Sequence, residues 1–153
     1  SYEQELKGSI ETYKGMLLSY RTYKNEYSGG PHGMYTTEFI NLNLSTIQPI
    51  LLDELFVEDY QETLTELLWY QLALDNGVET RDELEEMGYA TTGELAPTEN
   101  FYINEDGITF YYNVYEIAPY SMGPTQVTLS YDMLEYILNY DNKLVNELIT
   151  LWN

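Results

Sequence analysis

The chain has 153 residues, with 26 Asp plus Glu against 6 Lys plus Arg and a formal charge of -20. That balance repels phosphate backbones and anionic lipid headgroups, and so makes nucleic acid and membrane surfaces poor partners. The absence of cysteine removes disulfide frameworks, thiolate metal sites and cysteine nucleophiles together, and no apolar run approaches the ~20 residues of a membrane helix.

At 44% hydrophobic content, one domain is expected, burying roughly 70% of the surface its unfolded form exposes. Residues 1–8 read as a lead-in, a short helix or the tail of an upstream domain, closed by Gly8. Ser1 is not an initiator Met, and an export signal or anchor is expected before it. Residues 9–13 predict a strand, Lys14-Gly15 a tight turn, and residues 16–27 a long second strand. On that strand Met16, Leu18, Tyr20 and Thr22 alternate with Leu17, Tyr23 and Tyr27, so both faces carry bulk and a central position is expected. Ser28-Gly29-Gly30-Pro31-His32-Gly33 then demands an unusual backbone path. It leads to a third strand over residues 35–44, a turn at 45–49 and one helical turn within residues 50–56.

Asp59 with Glu62 forms a capping box, and Leu64, Leu67, Leu68 and Leu72 repeat at helical spacing until Asn76-Gly77, which predicts the longest helix. Thr80 with Glu83 repeats the capping signature for a short helix closed by Gly88. Residues 90–100 read as a loop. Residues 101–103 and 108–112, aromatic and β-branched, are parted by Asn104-Glu105-Asp106-Gly107 and predict a hairpin with a three- or four-residue loop. A further strand over 125–129 follows the breaks at Pro119 and Gly123-Pro124. Ser130 caps a helix carrying Leu134, Ile137 and Leu138, and a last helix from Lys143 presents Leu144, Val145, Leu148, Ile149 and Trp152 as an apolar stripe.

Two of these segments together define a family pattern. Tyr27-Ser-Gly-Gly-Pro-His-Gly33, followed by a strand and Leu52-Asp-Glu-Leu-Phe56, forms the first. Asn100-Phe-Tyr-Ile with Tyr115-Glu-Ile-Ala-Pro-Tyr120, Gly123 and a closing strand and helix forms the second. In that order they resemble the C-terminal domain of the RsiV-like proteins, a domain of unknown function over roughly residues 9–138. The resemblance implies an α+β domain outside the cytoplasm, acting through protein or envelope contacts. It is similar to the extracellular part of a lysozyme-sensing anti-sigma factor and to a non-catalytic domain of some peptidoglycan deacetylases. It transfers no catalytic residues. Pro31 stands where the family more often has Ala, which stiffens the turn, and residues 139–153 form a helix appended outside the resemblance.

His32, the only histidine, is the one side chain around which a base or a metal site would be built. No Lys and Ser/Thr follow the glycines as a phosphate loop needs, and no Gly-x-Ser-x-Gly elbow exists. A hydrogen-bonded histidine in a strained turn is therefore the stronger reading. Asn104, Glu105 and Asp106 lack EF-hand spacing and are explained by the hairpin, so no metal or cofactor is expected.

The 17 tyrosines combine broad rigid area with a polar tip, which suits sugar stacking and protein interfaces. High β-propensity alone also places tyrosines in strands. Tyr111, Tyr112, Tyr115 and Tyr120, with His32, are the candidate ligand-binding residues; Gly29, Gly30, Pro31, Gly33, Pro119 and Gly123 are the structural motif. The expected fold is an α+β domain with one antiparallel sheet of five or six strands and helices mainly on one face. The expected function is a non-enzymatic extracytoplasmic recognition or sensor module for a protein or cell-envelope ligand, with a basic protein such as lysozyme favoured by charge. The rival readings are an enzyme of envelope glycans and an interaction domain that forms a homodimer through its C-terminal helix.

Overall fold

The computed structural model describes residues 2–31 and 33–152. Its strands are β1 (Glu3–Lys14), β2 (Leu17–Tyr27), β3 (Met34–Asn43), β4 (Gln48–Pro49), β5 (Phe101–Asn104), β6 (Gly107–Tyr112) and β7 (Thr125–Leu129). Its helices are α1 (Leu52–Leu55), α2 (Gln61–Asn76), α3 (Arg81–Met87), α4 (Tyr131–Leu134) and α5 (Lys143–Leu151), with a 3-10 turn at Tyr120–Met122. The expected α+β class and antiparallel pairing are present. The strands form not one sheet but two, of four strands in the order β1-β2-β3-β4 and three in the order β5-β6-β7.

The split has a local cause. β4 covers β3 only at Leu42 and Asn43, so most of the outer edge of β3 has no backbone neighbour. Two asparagine side chains from the second half of the chain take that place. Thr37 N–H donates to Asn113 Oδ1 at 2.7 Å and Phe39 N–H to Asn100 Oδ1 at 2.7 Å, while Asn113 Nδ2 and Asn100 Nδ2 each donate to Thr37 O at 3.0 Å. A primary amide carries the same donor and acceptor as a peptide group. Thus β3 is bonded as though a strand lay beside it.

The first sheet reciprocates. β5 is the edge of the second sheet, and its Phe101 carbonyl accepts from Asn41 Nδ2 at 2.7 Å while Ile103 N–H donates to Ser19 Oγ at 3.3 Å. Ser19 Oγ in turn donates to Asn41 Oδ1 at 2.5 Å. Both side chains are buried, so this relay closes with each of its groups paired.

On the far face of the second sheet, Phe101, Phe110 and Val127 lie opposite one another, as do Ile103, Ile108 and Leu129. They share one core with Leu64, Leu68 and Leu72 of α2 and with Leu144, Val145 and Leu148 of α5. The apolar stripe of the last helix is therefore spent on its own domain.

Local signals were honoured unevenly. Glu83 N–H donates to Thr80 Oγ1 at 3.1 Å, and Gly88 takes φ 116 at the end of α3. Met133 N–H donates to Ser130 Oγ at 3.2 Å. The expected Asp59–Glu62 box is not formed: Asp59 adopts φ 61, the α2 N-cap is Tyr60 with no side-chain cap, and the Tyr60 hydroxyl donates to Asp53 Oδ1 at 2.9 Å. The hairpin closes one pair further than expected, at Asn104↔Gly107, with Gly107 at φ 139. Residues 3–8, expected as a lead-in, are the first half of β1, paired from Glu3↔Tyr27 through Ile10↔Tyr20.

Replacing Asn41 by Leu strands the Ser19 hydroxyl and the Phe101 carbonyl away from water. The expected loss is about 2–4 kcal/mol, read as a lower denaturant midpoint with an unchanged slope. An unchanged midpoint would show that the relay contributes nothing.

Candidate functional site

The aromatic residues converge where the two sheets meet. By strand parity Tyr23, Thr37 and Phe39 of the first sheet face the second. Phe39 meets Tyr102 at 4.7 Å and Tyr111 at 5.5 Å between ring centroids. Further out, Tyr35 packs edge-on to Tyr120 at 5.7 Å, and Tyr120 packs on Tyr115 at 5.6 Å. These rings form a graded seam, from the buried Phe39 and Tyr111 to Tyr115, which is 47% exposed.

The two sequence motifs meet at this seam. The Tyr120 hydroxyl, following Pro119, donates to Gly33 O at 2.9 Å, joining the Ala-Pro bend to the glycine corner. Within that corner Gly29 takes φ 96, and Gly123 closes the bend at φ 71. Gly30 and Pro31 lie in an exposed bend. His32 lies outside the described residues.

Tyr115 is the strained member, at φ 71, a left-handed conformation that costs a non-glycine residue on the order of 1 kcal/mol. Thr92 Oγ1 donates to its carbonyl at 2.7 Å, and Glu116 N–H donates to Asn113 O at 3.1 Å. The same turn thus displays the Tyr115 ring and delivers Asn113 to β3.

Period-two alternation separates the other two candidates. Tyr111 lies on the seam side of β6, whereas Tyr112 points into the helix-side core and donates to Ala96 O at 2.5 Å. Burial, with Glu116 nearby, raises the Tyr112 phenol well above its ordinary value. Tyr35 is raised too, by burial first and then by Tyr120, Tyr111 and Tyr23 around it.

Beside the rings, a cleft of about 250 Å³ is lined by Glu38, Phe39, Glu99, Asn100, Asn113 and Glu116. Glu99 accepts from Leu52 N–H at 3.0 Å and Glu116 from Asn113 N–H, while Glu38 is exposed. Among the described residues no group of three or more His, Asp or Glu is placed to hold a metal ion. Tyr23, Tyr35, Glu38, Glu99 and the two asparagines were not singled out from the sequence. For Tyr23, Tyr35 and Glu38 the only signal was strand parity on β2 and β3, which does not say which face meets the second sheet; Glu99 and the two asparagines lie outside the strands and carried none.

Fold and site define a two-sheet α+β domain whose distinctive surface is aromatic and acidic. The family described as "Protein of unknown function (DUF3298)" matches residues 53–132, and the chain belongs to that family, in line with its RsiV-like motifs. It is similar, at 27% identity over 136 residues, to the peptidoglycan-N-acetylmuramic acid deacetylase PdaC of Bacillus subtilis (strain 168), covering 86% of this chain and 28% of that protein. A crystal structure of a DUF3298 family member from Bacteroides fragilis NCTC 9343 superposes with a TM-score of 0.93 at 48% identity, covering 98% of this chain and 59% of that one. A DUF3298 family protein from Pseudomonas aeruginosa PAO1 shares the fold, with a TM-score of 0.74 at 20% identity over 92% of this chain and 63% of that one. The chain therefore spans less than two thirds of each of these relatives.

The buried phenols yield a pH test. Tyr112, and Tyr131 whose hydroxyl donates to Asn104 O at 2.6 Å, are raised chiefly by burial. Unfolded phenols ionise near about 10, so the stability these two contribute is complete below that pH and is lost as pH rises toward their folded values. Phenolate absorbance and far-ultraviolet dichroism followed together above about pH 10 should show the last tyrosines ionising only as the fold is lost. Full ionisation of all 17 tyrosines in a folded chain would refute this.

Proposed function

We propose that this domain is a non-enzymatic, extracytoplasmic recognition module that binds a protein or cell-envelope ligand at the tyrosine seam. The observation that carries this reading is that Phe39, the inner ring of the seam, also lines the acidic cleft of Glu38, Glu99 and Glu116, with Tyr35, Tyr115 and Tyr120 forming the outer rings of the seam. Aromatic faces and carboxylates both attract cations, the first through the ring quadrupole and the second through charge. A basic protein, of which a lysozyme is the probe of choice, fits that chemistry and the formal charge of -20. Likeness to part of a peptidoglycan deacetylase supports a setting in the cell envelope, as do the RsiV-like motifs.

The rigid seam suits recognition without rearrangement. Phe39 and Tyr111 are fixed by burial, and Tyr120 is tied to Gly33, so the partner meets rings that have already lost their rotamer freedom.

Calorimetric titration of a lysozyme should give binding heat at low salt that fades as salt screens the charges. Tyr115→Ala should weaken that binding by at least about tenfold without lowering thermal stability. The proposal fails if no heat appears at low salt, or if Tyr115→Ala binds like the parent. Turnover of peptidoglycan fragments by the parent, abolished in His32→Ala, would establish the enzymatic alternative instead.

A further inference from the structure

The first sheet has a second face, turned away from the seam, that is left largely exposed among the described residues. Register places Ile10, Tyr20 and Ile40 opposite one another across β1, β2 and β3, and Tyr13, Leu18, Leu42 and Pro49 in the adjacent row. Their parity is opposite to that of Ser19, Phe39 and Asn41, which meet the second sheet. Ile10 is 62%, Tyr13 68%, Tyr20 38% and Ile40 54% exposed.

A Cβ built on Gly8 would lie 2.1 Å from the Tyr20 hydroxyl, so the ring of Tyr20 lies across β1 at Gly8. Apolar sheet faces pack on one another about 10 Å apart. Three strands about 4.8 Å apart over about ten residues present on the order of 500 Å² in projection. Accessible area exceeds projection, and a stable contact needs about 800 Å² per partner.

Charge selects the occupant. These two rows carry no charge; further along the same face Lys24 and Glu26 form an ion pair at 2.7 Å, and Glu38 lies at the open edge of β3, where it also borders the cleft, on a chain whose total is -20. A basic partner gains little here and is drawn to the acidic surfaces. A second acidic copy meets less repulsion at these uncharged rows than at carboxylate-bearing surfaces.

We infer that the outer face of β1-β2-β3 is an isologous interface between two copies of this chain, centred on Ile10, Tyr20 and Ile40. Two such faces stack across a two-fold axis and cover one side of a β1 strand whose residues are otherwise exposed on both sides apart from the half-buried Thr12. The interface is centred on the opposite side of the sheet from the tyrosine seam and approaches it only at Glu38 on the open edge of β3, and its salt response is opposite, because salt screens repulsion between copies and leaves apolar contact intact.

Sedimentation equilibrium of the 153-residue chain from micromolar to millimolar concentration, at low and high salt, tests this. The expected result is a reversible dimer that tightens with salt. Ile40→Glu, which places a carboxylate in both copies, should weaken it at least about tenfold; the neutral Tyr20→Ser should also weaken it, while Tyr136→Ser, at a residue 88% exposed in the turn after α4, should not. Tyr115→Ala should leave the dimer intact, and Ile40→Glu should leave lysozyme titration unchanged, so this inference and the seam reading fail separately. A monomer under all conditions, or a dimer indifferent to both Ile40→Glu and Tyr20→Ser, overturns the inference.

Discussion

The structure depends on an exchange of hydrogen bonds between two sheets that share no ladder. Each has an edge that its own strands leave open, and each edge is satisfied by side chains of the other. Asn100 and Asn113 stand in for a strand beside β3, while Ser19 and Asn41 do so beside β5. Open edges invite pairing with foreign chains, and buried backbone groups without partners cost about 1–3 kcal/mol each. Amide side chains answer both demands while leaving the sheets free to meet at an angle. A continuous ladder would have held β3 and β5 in one surface and left no groove between the sheets.

The same exchange generates the seam. Because Asn113 must reach β3, the chain after β6 turns back immediately, and that turn forces Tyr115 into its left-handed conformation. Because Asn100 occupies the position just before β5, Phe39 is held against Tyr102 and Tyr111. The aromatic surface is thus a by-product of closing the sheets, which explains why its inner rings are buried and its outer rings exposed. Rings whose position is fixed by backbone bonding need little further ordering when a ligand arrives.

What was legible in the sequence was what depends on neighbours in the chain. The Thr80 cap, the Gly88 stop and the Gly107 turn each rest on three or four consecutive residues, and each was readable. The Asp59 cap was not, because Tyr60 is drawn toward Asp53 by a contact seven residues away. Residues 3–8 carry no alternation because neither face of that half of β1 is buried; only the pairing partner makes them a strand. Asn100 and Asn113 look like ordinary turn residues, since nothing local reveals an amide satisfying a strand more than sixty residues distant. The division between Tyr111 and Tyr112 was available all along, because adjacent residues of any strand face opposite ways.

Charge gives these features their direction. Among the described residues three ion pairs are present, Lys7 with Glu5, Lys24 with Glu26 and Arg81 with Glu66, all at exposed positions, where such pairs contribute at most about 1 kcal/mol. The acidic residues therefore do not hold the fold together; they set what approaches it. Glu99 and Glu116 border the seam, whereas the Ile10-Tyr20-Ile40 row and its neighbour on the far face of the first sheet carry no charge, so the two surfaces of one sheet present opposite solutions to an approaching molecule. One combines aromatic area with negative charge and selects a cation-rich partner over a neutral one. The other offers apolar rows without charge, and on a chain this acidic contact there by a like-charged surface costs less than at its carboxylate-bearing surfaces.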